Sequence, residues 1–152
     1  MPPVQTTYAS TMALGFVGTV ANMVPASYVS RTVETSAGIG FGLAVSQGAE
    51  DDSIVAYTDN VVGITVRERS VEAGADSFTE KQTARVMTEG AIVVSATGNV
   101  AAGDAVHVRA GGILAASGGQ ELANARWDTS ATNGQLAVVR IGGPVPAPAE
   151  AP

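Results

Sequence analysis

His107 is the only histidine in this chain of 152 residues, and the chain contains no cysteine. A zinc site usually needs three or four His, Cys or carboxylate ligands, and a catalytic triad needs a base that a third group orients. Asp104 precedes His107 by three residues, so on a strand its side chain would face the opposite way. We therefore expect His107 to be structural or at the surface, and we predict no enzyme, no cofactor and no metal site.

A second pattern with possible chemistry is the glycine-spaced segment 38–42, which partly matches a dinucleotide-binding fingerprint. The sixth position is Leu43 where the fingerprint requires a third glycine, and the sequence continues as a strand instead of opening a helix. We expect a strand whose glycines another backbone approaches closely.

The acidic run Glu50, Asp51 and Asp52 could bind a divalent cation. It lacks the spaced ligands and the glycine of a calcium loop, so we expect solvated carboxylates in a turn. A pair of carboxylates that hydrolyses glycosides is another interpretation of the acidic residues, although fourteen of them give many accidental pairs.

Charged residues of both signs alternate on two segments that we expect to be neighbouring strands. Arg67, Glu68 and Arg69 lie on the first segment, and Arg85 and Glu89 lie on the second. Cross-strand ion pairs within the chain are one interpretation, and a salt bridge between subunits is the other.

The first thirty residues carry no charged side chain, since the first charged residue is Arg31. Interface cores are depleted of charge and enriched in aromatic residues and methionine. One hypothesis is an arm and first strand that lie across a neighbouring subunit or partner, and the other is a set of ordinary core strands. Trp127, the only tryptophan, would lie in the core or at an oligomer interface. The candidate interface residues are Tyr8, Met12, Phe16, Met23, Tyr28, Arg67, Arg69 and Trp127.

The elements that must position these residues are strands, because the hydrophobic period is two. In the segment 39–48 one face of the predicted strand collects alternate apolar residues, namely Ile39, Phe41, Leu43 and Val45. Further strands are predicted over 63–71, on both sides of a turn at 110–112, and over 136–141. The segment 85–95 is predicted to be one or two strands, broken near Gly90. The only helical signal is one possible turn at 120–124. Regular turn signals favour a single small all-β domain of the sandwich or barrel type.

Composition restricts the partners. The net charge of −6 and the absence of a basic patch argue against nucleic acid and against an anionic membrane surface. No run of about 18 apolar residues predicts a membrane span, and the first ten residues lack the positive region of a signal peptide. We predict an extended arm over residues 1–13, a β-rich domain over 14–143, and an extended or disordered Pro/Ala-rich tail over 144–152.

Several segments in order resemble one family. They are GFVGTVANMVPASYVSRTVE, GIGFGLAVSQG, VVGITVRE, GAIVVSATGNVAAGDAVHV followed by GGIL, and NARWDTSATNGQLAVVRI. Together they cover roughly residues 8 to 141 and resemble the structural cement, or capsid decoration, proteins of tailed bacteriophages.

This resemblance implies a non-enzymatic, β-rich homo-oligomer, with a trimer favoured and a dimer possible. The implied partner is the major capsid protein, and the implied location is the outer surface of the virion, after synthesis in the host cytoplasm. An alternative is a glycan- or receptor-binding module on the virion, although only seven Phe, Tyr and Trp residues are present. A small hydrolase of the particle is a further alternative.

Overall fold

The computed structural model describes residues 4–69 and 75–142, and within these residues it contains strands but no α-helix. The predicted all-β class is therefore confirmed. The predicted tail lies outside the described residues. The strands in chain order are β1 (Ser27–Val33), β2 (Ile39–Gly40), β3 (Ala44–Gln47), β4 (Ser53–Ala56), β5 (Val61–Thr65), β6 (Ser77–Phe78), β7 (Thr83–Ser95), β8 (Ala105–Arg109), β9 (Ile113–Ala115), β10 (Gln120–Trp127) and β11 (Leu136–Ile141).

Five strands form a closed ring of pairings in the order β1, β4, β3, β5 and β7, because β1 also pairs with β7. The β1–β4 pairing is parallel, and the other pairings in this ring are antiparallel. The short β2–β6 pair contributes Ile39 and Phe78 to the core of this ring. Phe41 meets Phe78 edge to face, with ring centroids 5.0 Å apart. Closing the ring leaves few unpaired strand edges.

The second half of β7 starts another group of strands in the order β7, β11, β10, β8 and β9. A bridge between Thr97 and Ala115 links β9 back to the segment that follows β7, so this group is also almost closed. Its core surrounds Trp127, which is fully buried. The chain thus forms two barrel-like halves that share one long strand.

Gly90 is the residue at which β7 changes partners. Before it, β7 pairs with β1 and β5, and from Gly90 onwards it pairs with β11. Its φ of 133° favours glycine, and a Cβ at this position would lie 2.8 Å from the Cβ of Ala26. The break predicted near Gly90 is therefore a change of neighbours within one continuous strand.

Two other predictions about local structure were wrong. The single strand predicted in segment 39–48 is interrupted at Gly42, whose φ is +68°, so β2 and β3 are separate and Leu43 leaves the buried face. The possible helical turn at 120–124 is the start of β10, because Gln120 and Glu121 pair with β8. The strands on both sides of the 110–112 turn and the closing strand β11 are confirmed.

Candidate functional site

Residues 18–21, near the N-terminus, lie along the edge of β7 that is opposite β11. The N–H groups of Gly18 and Ala21 donate to the carbonyls of Val93 and Ala91, at 2.7 and 3.0 Å, and Val93 donates back to Thr19. Residue Val20 also forms a β-bridge with Ile92. Residues 18–21 are therefore held by backbone pairing, although no named strand includes them.

One side of this segment completes a small hydrophobic cluster. Leu14, Ala21 and Val24 pack on the outer face of β7 and β11, where Ala91, Val93 and Val138 are buried. Both faces of this part of β7 are thereby covered. That double coverage explains why the sequence over 90–94 is apolar without alternation.

The other side of the segment leaves large apolar side chains in solvent. Among the described residues, seven large hydrophobic side chains are exposed, and six of them lie within residues 4–23, which we call the N-terminal apolar segment. The six exposed fractions are 78% for Val4, 75% for Tyr8, 93% for Met12, 69% for Phe16, 40% for Val20 and 101% for Met23. Single exposed apolar residues are normal in proteins, whereas six within twenty uncharged residues form an unusual concentration of exposed apolar surface.

Arg67 fixes the second half of this segment to the first ring through residues 16–18. Its backbone N–H donates to the carbonyl of Gly18 at 2.8 Å, and its Nε donates to the carbonyl of Val17 at 2.9 Å. The guanidinium also lies 4.8 Å from the ring centroid of Phe41 and 5.6 Å from that of Phe16. An ion pair with Asp76 at 3.1 Å completes its contacts.

Two glycines make this attachment possible. Gly18 and Gly42 have φ values of +84° and +68°, and a Cβ on either would lie 3.2 Å from the backbone nitrogen of the other. The predicted close approach of another backbone occurs at two glycines of segment 38–42, with Gly18 approaching Gly42 and Phe78 approaching Gly38.

The candidate Tyr28 has its contact within the chain. Arg85 lies over the ring of Tyr28 at 3.9 Å and forms an ion pair with Glu68 at 3.4 Å. These contacts match the intrachain interpretation of the charged strands, and Arg69 is exposed. The structure thus brings Phe16 and Arg67 together, and it places Tyr28 with Arg85 in a separate contact.

Trp127 is the one interface candidate that has no accessible surface. Its side chain is 0% exposed and packs in the core of the second half of the chain. Of the two positions considered from sequence, the structure places it in the core. It is therefore unavailable for contact with another subunit while the fold is intact.

His107 has the alternating environment expected of its strand. It is partly exposed between the buried Val106 and Val108, and it lies opposite Glu121 on β10. Within the part of the chain that the structure describes, no group of three His, Cys, Asp or Glu side chains could hold a metal ion. Across the same residues, no helix is long and apolar enough to cross a membrane.

The acidic run lies in the turn between β3 and β4, where Glu34 organises the backbone. The carboxylate of Glu34 accepts hydrogen bonds from the N–H groups of Ala49 and Glu50, at 3.0 and 3.3 Å. A hydrogen bond from the Ser53 hydroxyl is the largest cause that lowers the pKa of Glu34, and the Ala49 bond adds to it. The function of this carboxylate is to hold the turn.

Sequence reasoning missed a groove between β5 and β10, which we call the β5–β10 groove. It has two adjoining hollows of about 190 and 200 Å³, and Val61 and Leu122 line both. Ile64, Ile141 and Gly142 line the first hollow, where β5 and β11 diverge from β7. The segment 120–124 has the local pattern of a helical turn, so the sequence does not indicate that it forms a strand edge beside a groove.

A comparison with models of known protein families identifies one family. The family model described as "Structural cement protein (E217 gp24/Pam3 gp6)" matches residues 4–142. No curated protein matches the sequence. A chain from the structure titled "The capsid of Myoviridae Phage XM1" has a TM-score of 0.70 at 17% identity, covering 90% of this chain and 96% of that one.

A second solved structure, "The crystal structure of head fiber gp8.5 N base in bacteriophage phi29", has a TM-score of 0.47 at 16% identity. The alignment covers 76% of this chain and 95% of that one. The likeness to the phage XM1 chain shows the fold alone, whereas the family model spans both barrel-like halves and the N-terminal apolar segment. This chain therefore belongs to the phage structural cement protein family.

Proposed function

We propose that this protein is a cement protein of a tailed-phage capsid. It binds the outer surface of the assembled head as a homo-oligomer, with a trimer favoured, and stabilises contacts between major capsid protein subunits. The family match and the fold shared with a chain of a phage capsid structure support this proposal. The observation that carries it is the N-terminal apolar segment, whose large side chains are exposed on an uncharged stretch of chain.

Binding of this protein to the assembled capsid lattice stabilises the lattice by linkage. A protein that binds the assembled shell but not free capsid subunits shifts the equilibrium towards the shell. Sites at junctions between capsid subunits exist only after assembly, so a protein that spans a junction has this selectivity. An oligomer presents the same surface several times, and weak single contacts then add through effective concentration.

The N-terminal apolar segment has the physical properties that such a contact requires. Phe16 and Met23 are mostly exposed, yet backbone pairing with β7 fixes the chain between them. Little conformational entropy is then lost when they are buried. Full burial of one such side chain contributes about 1.5–3 kcal/mol. The absence of charge from residues 4–30 avoids the cost of desolvating an ion.

Binding to heads that lack the protein tests this function. Purified protein is mixed with such heads, unbound protein is removed by sedimentation, and the bound fraction and the thermal stability of the heads are measured. We expect saturable binding that raises the temperature at which the heads release DNA. Heads that bind none of the protein, or that bind it without gaining stability, would contradict the proposal. Binding to host cells instead would favour the receptor-binding alternative.

Point variants identify the contact surface. Met23→Ser changes a side chain that is 101% exposed, so the fold should be unaffected. We expect a loss of at least about tenfold in affinity, which corresponds to about 1.4 kcal/mol per site. Ile113→Ser is the matched control, because Ile113 is the exposed large hydrophobic side chain outside the N-terminal apolar segment among the described residues. Equal effects of the two variants would exclude this segment as the contact.

A further inference from the structure

We propose that the N-terminal arm of one copy of this chain, residues 4–13, adds a strand in the β5–β10 groove of a second copy. The groove would then be the receptor for the arm, and the exchange of arms would build the oligomer. This inference concerns the free protein and needs no capsid, so it can fail while the proposed function stands.

Within residues 4–69 and 75–142, the groove presents strand edges that have no strand partner. On its groove side, β5 pairs with β7 only at Ile64 and Thr65, which leaves Val61 and Val62 without a strand partner there. On its groove side, β10 pairs with β11 only from Ala125 onwards. The stretch 120–124 therefore has one strand-to-strand backbone bond on that side, from the N–H of Gly142 to the carbonyl of Asn124 at 2.9 Å. Unpaired edges of this kind are templates for strand addition.

The arm presents the complementary features. Residues 4–13 are all exposed, and they make no backbone-to-backbone hydrogen bond with the rest of the described chain. They carry no charge and are rich in residues that favour strands. In an extended arm, Tyr8 and Met12 lie on one face, about 13 Å apart at 3.3 Å per residue.

The groove matches that spacing. The stretch 120–124 of β10 has the same number of residues, so it also spans about 13 Å. Val61, Ile64, Leu122 and Ile141 give the groove apolar walls for Tyr8 and Met12. The residues between these two anchors are Ala9, Ser10 and Thr11, which are small enough for a narrow slot.

We assign the donated arm to a second copy because the chain's own N-terminal apolar segment lies along the other edge of β7. Ile92 of β7 pairs with Val20 on one edge and with Val139 of β11 on the other. In the same way, Met87 pairs with Tyr28 on one edge and with Ile64 of β5 on the other. The N-terminal apolar segment therefore lies along the edge of β7 away from the groove. The arm thus leaves its own chain on the far side.

Gly142 is the last described residue and lines the groove, and the C-terminal tail follows it in the sequence. Pro144, Pro146 and Pro148 follow at alternate positions, and proline has no backbone N–H. A strand between two edges must donate hydrogen bonds in both directions, and alternate prolines remove the donors on one side. The arm contains no proline within residues 4–13, so it is the better occupant.

The contact joins the arm of one copy to the groove of another, so two different surfaces meet and the contact is head-to-tail. Such contacts form a closed ring when the rotation between neighbouring copies brings the last copy back to the first. Each copy then donates one arm and receives one. A ring of three copies would have three times the 15.2 kDa mass of the single chain.

Cysteine trapping tests the exchange directly, because the chain contains no cysteine. Ser10→Cys protein is mixed with Ala123→Cys protein under mild oxidation, and cross-linked peptides are identified by mass spectrometry. Ser10 lies in the arm, and Ala123 is an exposed residue that lines the groove. We expect a disulfide between the two proteins. The control replaces Ala123→Cys with Ser117→Cys, an exposed position outside the groove.

The outcomes separate the possible occupants. No link between positions 10 and 123 above the level of the control overturns the proposal. A double variant carrying both cysteines shows whether the link forms within one chain at high dilution. If the link forms only within one chain, the arm occupies its own groove, and the proposal is also wrong.

Sedimentation analysis gives an independent measurement. Ala123→Arg places a long charged side chain in the groove without touching the core, and Ala102→Arg makes the same change at an exposed turn elsewhere. We expect Ala123→Arg to lower the oligomer towards the single-chain mass and Ala102→Arg to leave it unchanged. A single-chain mass for the unaltered protein, or equal oligomers for both variants, would refute arm exchange. Near-identical circular dichroism spectra confirm that both variants fold.

Discussion

Replacing Arg67 with methionine should release the N-terminal apolar segment from the first ring. Methionine keeps an apolar stem but removes the Nε bond to the carbonyl of Val17 and both contacts with aromatic rings. The side chain of Arg67 is 28% exposed, so it is largely shielded from solvent. The ion pair with Asp76 adds little, because the Asp76 side chain is 82% exposed.

The magnitude follows from these contacts. A hydrogen bond from a charged donor contributes about 1.5–3 kcal/mol, and a cation–π contact at a partly exposed site adds about 0.5–1 kcal/mol. The recovered apolar burial of methionine offsets part of this loss. We therefore expect Arg67→Met to lower the free energy of unfolding by about 2–3 kcal/mol. For a chain of this length that corresponds to a decrease in Tm of roughly 4–12 °C.

Hydrogen exchange locates the effect. In Arg67→Met, the amides of Gly18 and Ala21, which donate to β7, should exchange faster relative to those in the core of the second half. Arg126→Met is the control, because the Arg126 side chain is 61% exposed and its ion pair with Asp128 is 3.9 Å long. If Arg67→Met changes neither Tm nor the exchange of Gly18 and Ala21 more than Arg126→Met does, Arg67 does not hold the segment.

Three further changes test other parts of the structure. Trp127→Ala should cost about 3–5 kcal/mol in chemical denaturation because the side chain is fully buried, and a stability loss below about 1 kcal/mol would contradict its placement in the core. Gly42→Ala should destabilise the protein by about 1–3 kcal/mol, measured the same way, because φ is +68° and the new Cβ would meet Gly18 and Val17. The Ser53 hydroxyl and the Ala49 N–H lower the pKa of Glu34 in the folded chain below its ordinary value. The stabilising contribution of Glu34 is therefore present above the unfolded pKa and is lost as pH falls through the lower folded pKa. Glu34→Gln should therefore flatten the acid limb of stability against pH, and an unchanged limb would show that Glu34 does not contribute to it.

The sequence alone determined the fold class and the strands that lie on local patterns. Alternating apolar residues predicted strands, and the turn at 110–112 joins β8 and β9 as expected. The lack of charge before Arg31 identified Met12, Phe16 and Met23 as candidates for contact, and these side chains are exposed. These features depend on residues close in sequence, so they can be predicted without knowing which distant residues are in contact.

Only the tertiary structure decided which neighbours each strand has. Residues 120–124 have the composition of a helical turn, but pairing with β8 makes them a strand, since an available edge outweighs a weak local preference. Gly90 separates two sets of partners within β7. Trp127, at the end of β10, lies in the core because buried residues of β7, β8 and β11 pack in the same cluster. The β5–β10 groove exists where distant strands diverge, so no local pattern could encode it. Burial and pairing between residues far apart in sequence are long-range properties, and the folded chain alone fixes them.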